Sequence, residues 1–187
     1  MKSASSFSNQ LLIAMPGMQD PTFSSTVTLV CEHNADGALG IIINRPSDIN
    51  LGVLLKQLNI ADIDAGVAVM PVLDGGPVGR ERGFVLHSRS RDFESSMEVS
   101  ADIRLTMSRD VLDAMAAGSG PEKTLVALGY AGWEAGQLEA EMLANSWLSV
   151  PATPELLFDT PFEQRWSMAA GALGVDIRLL STDAGHA

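Results

Sequence analysis

One cysteine, Cys31, is all that 187 residues contain. The chain therefore cannot close an internal disulfide, and its cysteine usage fits a reducing, cytoplasmic compartment. Basic residues are also scarce: 12 Lys+Arg stand against 23 Asp+Glu, a formal charge of −11. Specific duplex binding neutralises about 6–10 phosphates, which would demand most of the cations on one face. Arg80, Arg82, Arg89 and Arg91 do cluster, but Glu81, Asp92 and Glu94 interrupt them. Direct nucleic-acid binding is not expected, and a solvated loop is the plainer reading. No segment approaches the roughly 20 apolar residues that span a bilayer, and the early apolar run at 11–15 is cut by Pro16. No membrane association is expected. Complete chemical fingerprints are missing too. There is no G-x-S-x-G elbow, no P-loop lysine and no third dinucleotide glycine, and Cys31, His33 and His87 lack a zinc spacing,. Neither a cofactor nor a metal is expected.

What the chain does have is enough apolar content for a core. With 46% hydrophobic residues, one domain over 1–187 can bury roughly 70% of its unfolded surface, with 1–8 expected to fray. The stretch 123–148 organises the rest. Its run 124–128 reads as a strand buried on both faces, ending in a turn around Gly129 and Gly132. The spacing of Leu138, Met142, Leu143 and Trp147 predicts a helix over 137–147,. A buried strand, a glycine turn and a helix commonly seat a ligand in α/β proteins, although the glycines serve close packing equally well.

Elsewhere, strands are expected at 11–15, 26–33, 39–44, 67–73, 83–87, 103–106 and 175–180, with a weak one at 97–99,. Helices are expected after Asn50, after Ser108 and over 162–173, the last with Phe162, Trp166, Ala169, Ala170 and Leu173 inward,. Hairpins mix with strand–helix units, which predicts α/β architecture on a mixed sheet. Asp36-Gly37 predicts a hairpin with a two- or four-residue loop. Either loop puts Cys31, His33, Gly40, Ile42 and Asn44 on one face, with a hollow at Gly40 beside the thiol and imidazole,. A bulged loop would flip that parity.

Several constellations carry chemistry. Cys31 with His33 reads as a small core cysteine or as an activated thiol, nucleophilic or redox-active, with His33 or His87 as base. Arg45, beside Asn44 and Pro46, can clamp an anion or pair with a surface carboxylate. Gly75 and Gly76 can present backbone N–H groups to an anion or simply make a tight turn. Trp133 and Trp147, if exposed, would mark a protein interface. His186 reads as part of a tail.

These segments resemble the AlgH/YqgE family of bacterial proteins. The resemblance rests on LLIAMPGMQDPTF (11–23), CEHNADGALGIIINRP (31–46), LDGGPV (73–78), RGFVLH (82–87), TMSRDVLDAMAAG (106–118) and LVALGYAGWEAGQLEAEMLANSWL (125–148), followed by LLF, RW, LGVDI and the terminal AGHA. Two departures are small: Thr26 stands where Ser is expected, and Leu29 where an aromatic is common. The resemblance implies a single α/β domain whose mixed sheet curls into a pseudo-barrel flanked by helices. It also implies a transcriptional-regulator label without a settled activity. That label conflicts with the charge and the absence of a basic recognition helix, so any regulation is expected to be indirect, through an unidentified small molecule or protein partner. Candidate catalytic residues are Cys31, His33 and His87. Candidate ligand-binding residues are Asn44, Arg45, Gly75, Gly76 and Gly129. The alternative is a small enzyme or redox sensor built on Cys31.

Overall fold

The computed structural model describes residues 5–180, so the expectations for the first four residues and for His186 lie outside the described residues. Two compact units emerge, one formed by residues up to Asn44 together with those from Ala131 onward, the other by Arg45–Tyr130.

The first unit holds β1 (Gln10–Ala14), β2 (Val27–Asn34) and β3 (Gly37–Ile42). The second follows with β4 (Pro46–Asn50), α1 (Leu51–Gln57), α2 (Ala65–Ala68), β5 (Pro71–Asp74), β6 (Val78–Ser88), β7 (Ser96–Glu98), β8 (Ile103–Thr106) and α3 (Arg109–Ala116). The long strand β9 (Thr124–Glu134) gives its first part to the second unit and its last four residues to the first. Returning to the first unit, the chain forms α4 (Gln137–Leu143), β10 (Trp147–Pro151), a π-helical turn (Glu155–Asp159), α5 (Phe162–Gly171) and a 3₁₀ turn (Ile177–Leu179).

In the first unit the order β10-β1-β2-β3-β9 is antiparallel throughout. Alternation along β1 and β2 places Leu12, Ala14 and Val30 in one apolar cluster with Ala131, Trp133 and Trp147, closed by Leu138 of α4,. Residues 6–8 hydrogen-bond to the end of β2. The Phe7 N–H donates to His33 Nδ1, the His33 N–H donates to Ser8 Oγ, and the Phe7 ring packs on that cluster.

Near the turn the hairpin keeps the register of the expected four-residue loop, with His33 facing Ala38, and it departs from both expected registers only beyond Cys31. Asn34 Oδ1 accepts the Asp36 N–H and draws the loop one residue earlier, to Ala35-Asp36, so that Asn34 faces Gly37,. A bulge between Val30 and Glu32 then makes Cys31 the extra residue,. Parity across the bulge puts Val30 and His33 on one face with Gly40 and Ala38. The hollow at Gly40 is filled: a Cβ there would lie 2.9 Å from the Trp133 ring and 2.8 Å from the Thr28 methyl.

In the second unit β5 runs parallel to β9, and every other pairing is antiparallel, in the order β4-β5-β9-β6-β8-β7. This is the expected mixed sheet. Val72, Val85 and Val126 share one face, covered by Leu51, Leu54 and Leu55 of α1 and by Val111, Leu112 and Met115 of α3. Asn50 caps α1, its Oδ1 accepting the Val53 N–H at 3.1 Å,. Ser108 holds the N-cap position of α3 without a capping hydrogen bond. Its hydroxyl donates instead to Asp110.

Four expected elements are corrected. The strand over 124–128 does not end at Gly129 but passes through it at φ 78°, staying paired to Glu134. The helix over 137–147 stops at Leu143, because Asn145 turns left-handed at φ 57° and frees Trp147 to pair with Ala14. The expected strand over 67–73 begins as α2, whose amide groups are held by Asp64 Oδ1, and only Pro71–Asp74 is extended. The expected final strand is the 3₁₀ turn, where Ile177 is buried and Leu179 exposed, without a pairing edge. In α5 the inward set also changes. Leu173 is exposed, whereas Arg165 is 2% exposed and lies 4.4 Å over the Phe162 ring. Arg165 donates to the carbonyls of Thr160 and Ile43. Burial lowers its pKa to about 10, which leaves it charged at neutral pH,.

Candidate functional site

In the first unit the Cys31 thiol and the His33 imidazole have separate partners. Cys31 is 2% exposed with its thiol toward the Leu29 carbonyl, and burial, followed by the nearby Glu32 charge, pushes its pKa far above the usual thiol range,. The His33 imidazole is turned to other partners. Nδ1 accepts the Phe7 N–H, which leaves the proton on Nε2, 2.7 Å from Glu139 Oε1,. Glu139 is held below its ordinary pKa by its own backbone amide and by His33. An activated Cys31–His33 pair therefore has no geometry here. The bulge sends the two side chains to separate environments.

His87 is a satisfied core histidine. Nδ1 must donate to the Ser88 carbonyl at 2.8 Å, so Nε2 accepts from Thr106 Oγ1 at 2.7 Å. Thr106 then accepts from Ser96 Oγ at 2.6 Å, and Ser96 accepts from the Phe93 N–H. With the imidazole neutral, each donor and acceptor in this chain has one role. Burial lowers the His87 pKa accordingly, outweighing the Ser88 hydrogen bond.

Asn44 ties strands together, accepting the Val27 N–H and donating to the Ser25 carbonyl, both at 2.9 Å. The Arg45 carbonyl accepts the Asp74 N–H at 2.8 Å. Gly75, Gly76 and Gly129 form a backbone crossing, not an anion nest. The Gly75 N–H is already given to Leu128 O at 2.8 Å, and a Cβ on Gly75 would lie 2.4 Å from Gly129 O. On Gly129 a Cβ would lie 2.5 Å from Gly76 O. Only glycine permits that approach.

Trp133 and Trp147, which would mark an interface if exposed, are 6% and 3% exposed. Both rings pack near Phe23, and both indoles donate to Glu141. Arg80, Arg82, Arg89 and Arg91 are exposed. Arg82 lies over Phe84 and Tyr130, and Arg91 over Phe93.

The second unit instead contains a pocket of about 190 Å³ that the sequence reading did not anticipate. Gly83 pairs with Leu128 on the same sheet face as the Val85–Val126 pair two residues on,. Where a side chain at 83 would continue the apolar layer, there is none, and a Cβ added there meets nothing within 4 Å. Leu54 of α1, Leu58 just after it and Leu112 of α3 complete the apolar wall. Thr106 and Ser108 also line it, but their hydroxyls are engaged by His87 and Ser96, and by Asp110 and the Ser95 N–H. Two charged residues, Glu81 and Arg109, belong to the lining. The sequence signal was an isolated glycine before an apolar strand run, which marks a close approach or a gap.

Among the described residues no helix is long and apolar enough to cross a membrane.

Comparison with known proteins agrees with this architecture. The family model described as DUF179, AlgH-like, matches residues 11–178. A UPF0301 protein of Thioalkalivibrio sulfidiphilus is 54% identical over 187 residues, covering 100% of both chains. One from Nitrosococcus oceani is 50% identical with the same coverage. The solution structure of the AlgH protein from Pseudomonas aeruginosa superposes with a TM-score of 0.81 at 49% identity, covering 100% of this chain and 99% of that one. Protein DIP2367 from Corynebacterium diphtheriae shares the fold at 17% identity, with a TM-score of 0.74 and coverage of 97% and 94%. With its mixed α/β architecture and a family match over most of its length, the chain belongs to the AlgH-like family.

Proposed function

We propose that this AlgH-like protein is a cytoplasmic binding protein whose ligand is a small molecule held in the pocket at Gly83. Any influence on transcription then runs through that ligand or a protein partner and not through duplex DNA. The observation that carries this reading is the gap at Gly83. The rest of that sheet face is packed, and the missing side chain leaves an apolar cavity beside two charged residues,. The charge of −11 supports the exclusion of direct DNA contact,. The alternative of an enzyme or redox sensor has the burial and raised pKa of Cys31 against it.

A thermal-shift screen against cytosolic metabolites tests the proposal, run in parallel on the protein and on Gly83→Leu. Ligand at 100 times its Kd stabilises the native state by about 2.7 kcal/mol, or roughly 5–10 °C for a domain of this size. The expected result is a shift of that size in the protein and none in Gly83→Leu. A hit that stabilises both equally would place the ligand elsewhere and overturn the assignment.

A further inference from the structure

The same pocket narrows the chemistry of its ligand, on the reading that it is a ligand site. Its volume, about 190 Å³, is close to that of an apolar protein cavity of about 150 Å³ that accepts benzene. The wall of Leu54, Leu58, Val85, Leu112, Val126 and Leu128 suits a body of about six carbon-like atoms,. The hydroxyl protons of Thr106 and Ser108 are already committed to the His87 chain and the Asp110 turn, so neither donates to a ligand's polar head,. The charged members of the lining are one anion and one cation, Glu81 and Arg109. Arg109 makes a half-exposed contact to Asp113 at 3.5 Å, of a kind that is weak and readily exchanged.

A lone anion would meet Arg109 but face Glu81, and a lone amine would meet Glu81 but face Arg109. A compact zwitterion with an apolar tail complements both. We propose that the pocket takes a free apolar α-amino acid of the size of leucine or phenylalanine, its side chain against the wall. Arg109 then meets its carboxylate and Glu81 its ammonium group.

The test is a titration of the full chain followed by amide NMR, with L-leucine, L-phenylalanine, 4-methylpentanoate, isoamylamine, L-serine and benzene. Leucine or phenylalanine is expected to move the Gly83, Leu112 and Leu128 amides. Serine, lacking the tail, should leave them unmoved. Loss of either charged group should weaken binding about tenfold or more, as for a charge-assisted contact. Glu81→Gln should weaken leucine about tenfold while sparing 4-methylpentanoate, and Arg109→Gln should weaken leucine while sparing isoamylamine. Both side chains are exposed enough for the variants to fold. Equal affinity for leucine, 4-methylpentanoate and isoamylamine would overturn the amino-acid assignment and leave the pocket reading standing. If no compound, benzene included, moves those amides, both the assignment and the pocket reading fall.

Discussion

Trp133 and Trp147 donate their indole N–H groups to the same oxygen, Glu141 Oε2, each at 2.9 Å, with their rings 6.3 Å apart and near perpendicular. One carboxylate on α4 thus pins the end of β9 to the start of β10. Gln137 holds the other oxygen of Glu141 at 3.0 Å and accepts the Glu134 N–H. A charged acceptor shared by two buried donors explains why the tryptophans are core residues: their only polar groups are already satisfied.

Glu141→Ala is therefore expected to destabilise the protein by about 2–4 kcal/mol, since two indole N–H groups lose a charged acceptor and water reaches the site only in part. Glu141→Gln, which keeps an oxygen at the same place, should cost about half as much. Urea unfolding followed by tryptophan fluorescence reads both values. Equal stability of Glu141→Ala and the parent would mean that the shared contact contributes nothing.

Much of this fold was legible beforehand. Strand β8 and the Asn50 cap follow from apolar alternation and side-chain chemistry within a few residues. What could not be read were features decided by distant partners. Trp147 fits the helical spacing after Leu143, yet Leu143 is 86% exposed and Trp147 pairs with Ala14 of a strand more than a hundred residues earlier. The bulge at Cys31 is likewise set by pairing with β3, and one extra residue was enough to separate the thiol from the imidazole,. The pocket was hidden for a related reason. A glycine in a strand announces missing volume, but only the packing of α1 and α3 reveals that nothing else fills it.

The glycines divide into two kinds, and substitution separates them. Gly129→Ala places a Cβ 2.5 Å from Gly76 O at a left-handed backbone position, so strain and overpacking together should cost about 3–5 kcal/mol. Gly83→Ala projects into open space and should change stability by no more than about 1 kcal/mol. Chemical denaturation of the two variants checks the contrast, and comparable losses would contradict the distinction.

Acidification should act through His87 before it acts through the carboxylates. Its folded pKa lies below the unfolded value near 6.5. The unfolded state therefore takes up a proton first, and stability falls as pH drops below about 6.5 until the folded value is passed. Glu139 and Asp110, both lowered in the fold, withdraw their stabilisation only below their unfolded values of 4.5 and 3.8. His87→Phe should lower stability at pH 7, because the Thr106 hydroxyl and the Ser88 carbonyl lose their partner, and flatten the slope between pH 6.5 and 5. An unchanged slope in urea midpoints would assign that window to another group.

Cys31 should resist alkylation in the native protein even at pH 9 and react promptly in denaturant, since burial keeps it a thiol,. Fast native-state labelling by iodoacetamide would restore the reactive-cysteine alternative.

An amide NMR map during titration with the first stabilising metabolite locates the ligand site. Binding in the pocket predicts that the perturbed amides gather at Gly83, Val85, Leu112 and Leu128, and that Gly83→Leu abolishes them. Perturbations centred on Cys31 and His33, or persisting unchanged in Gly83→Leu, would contradict it.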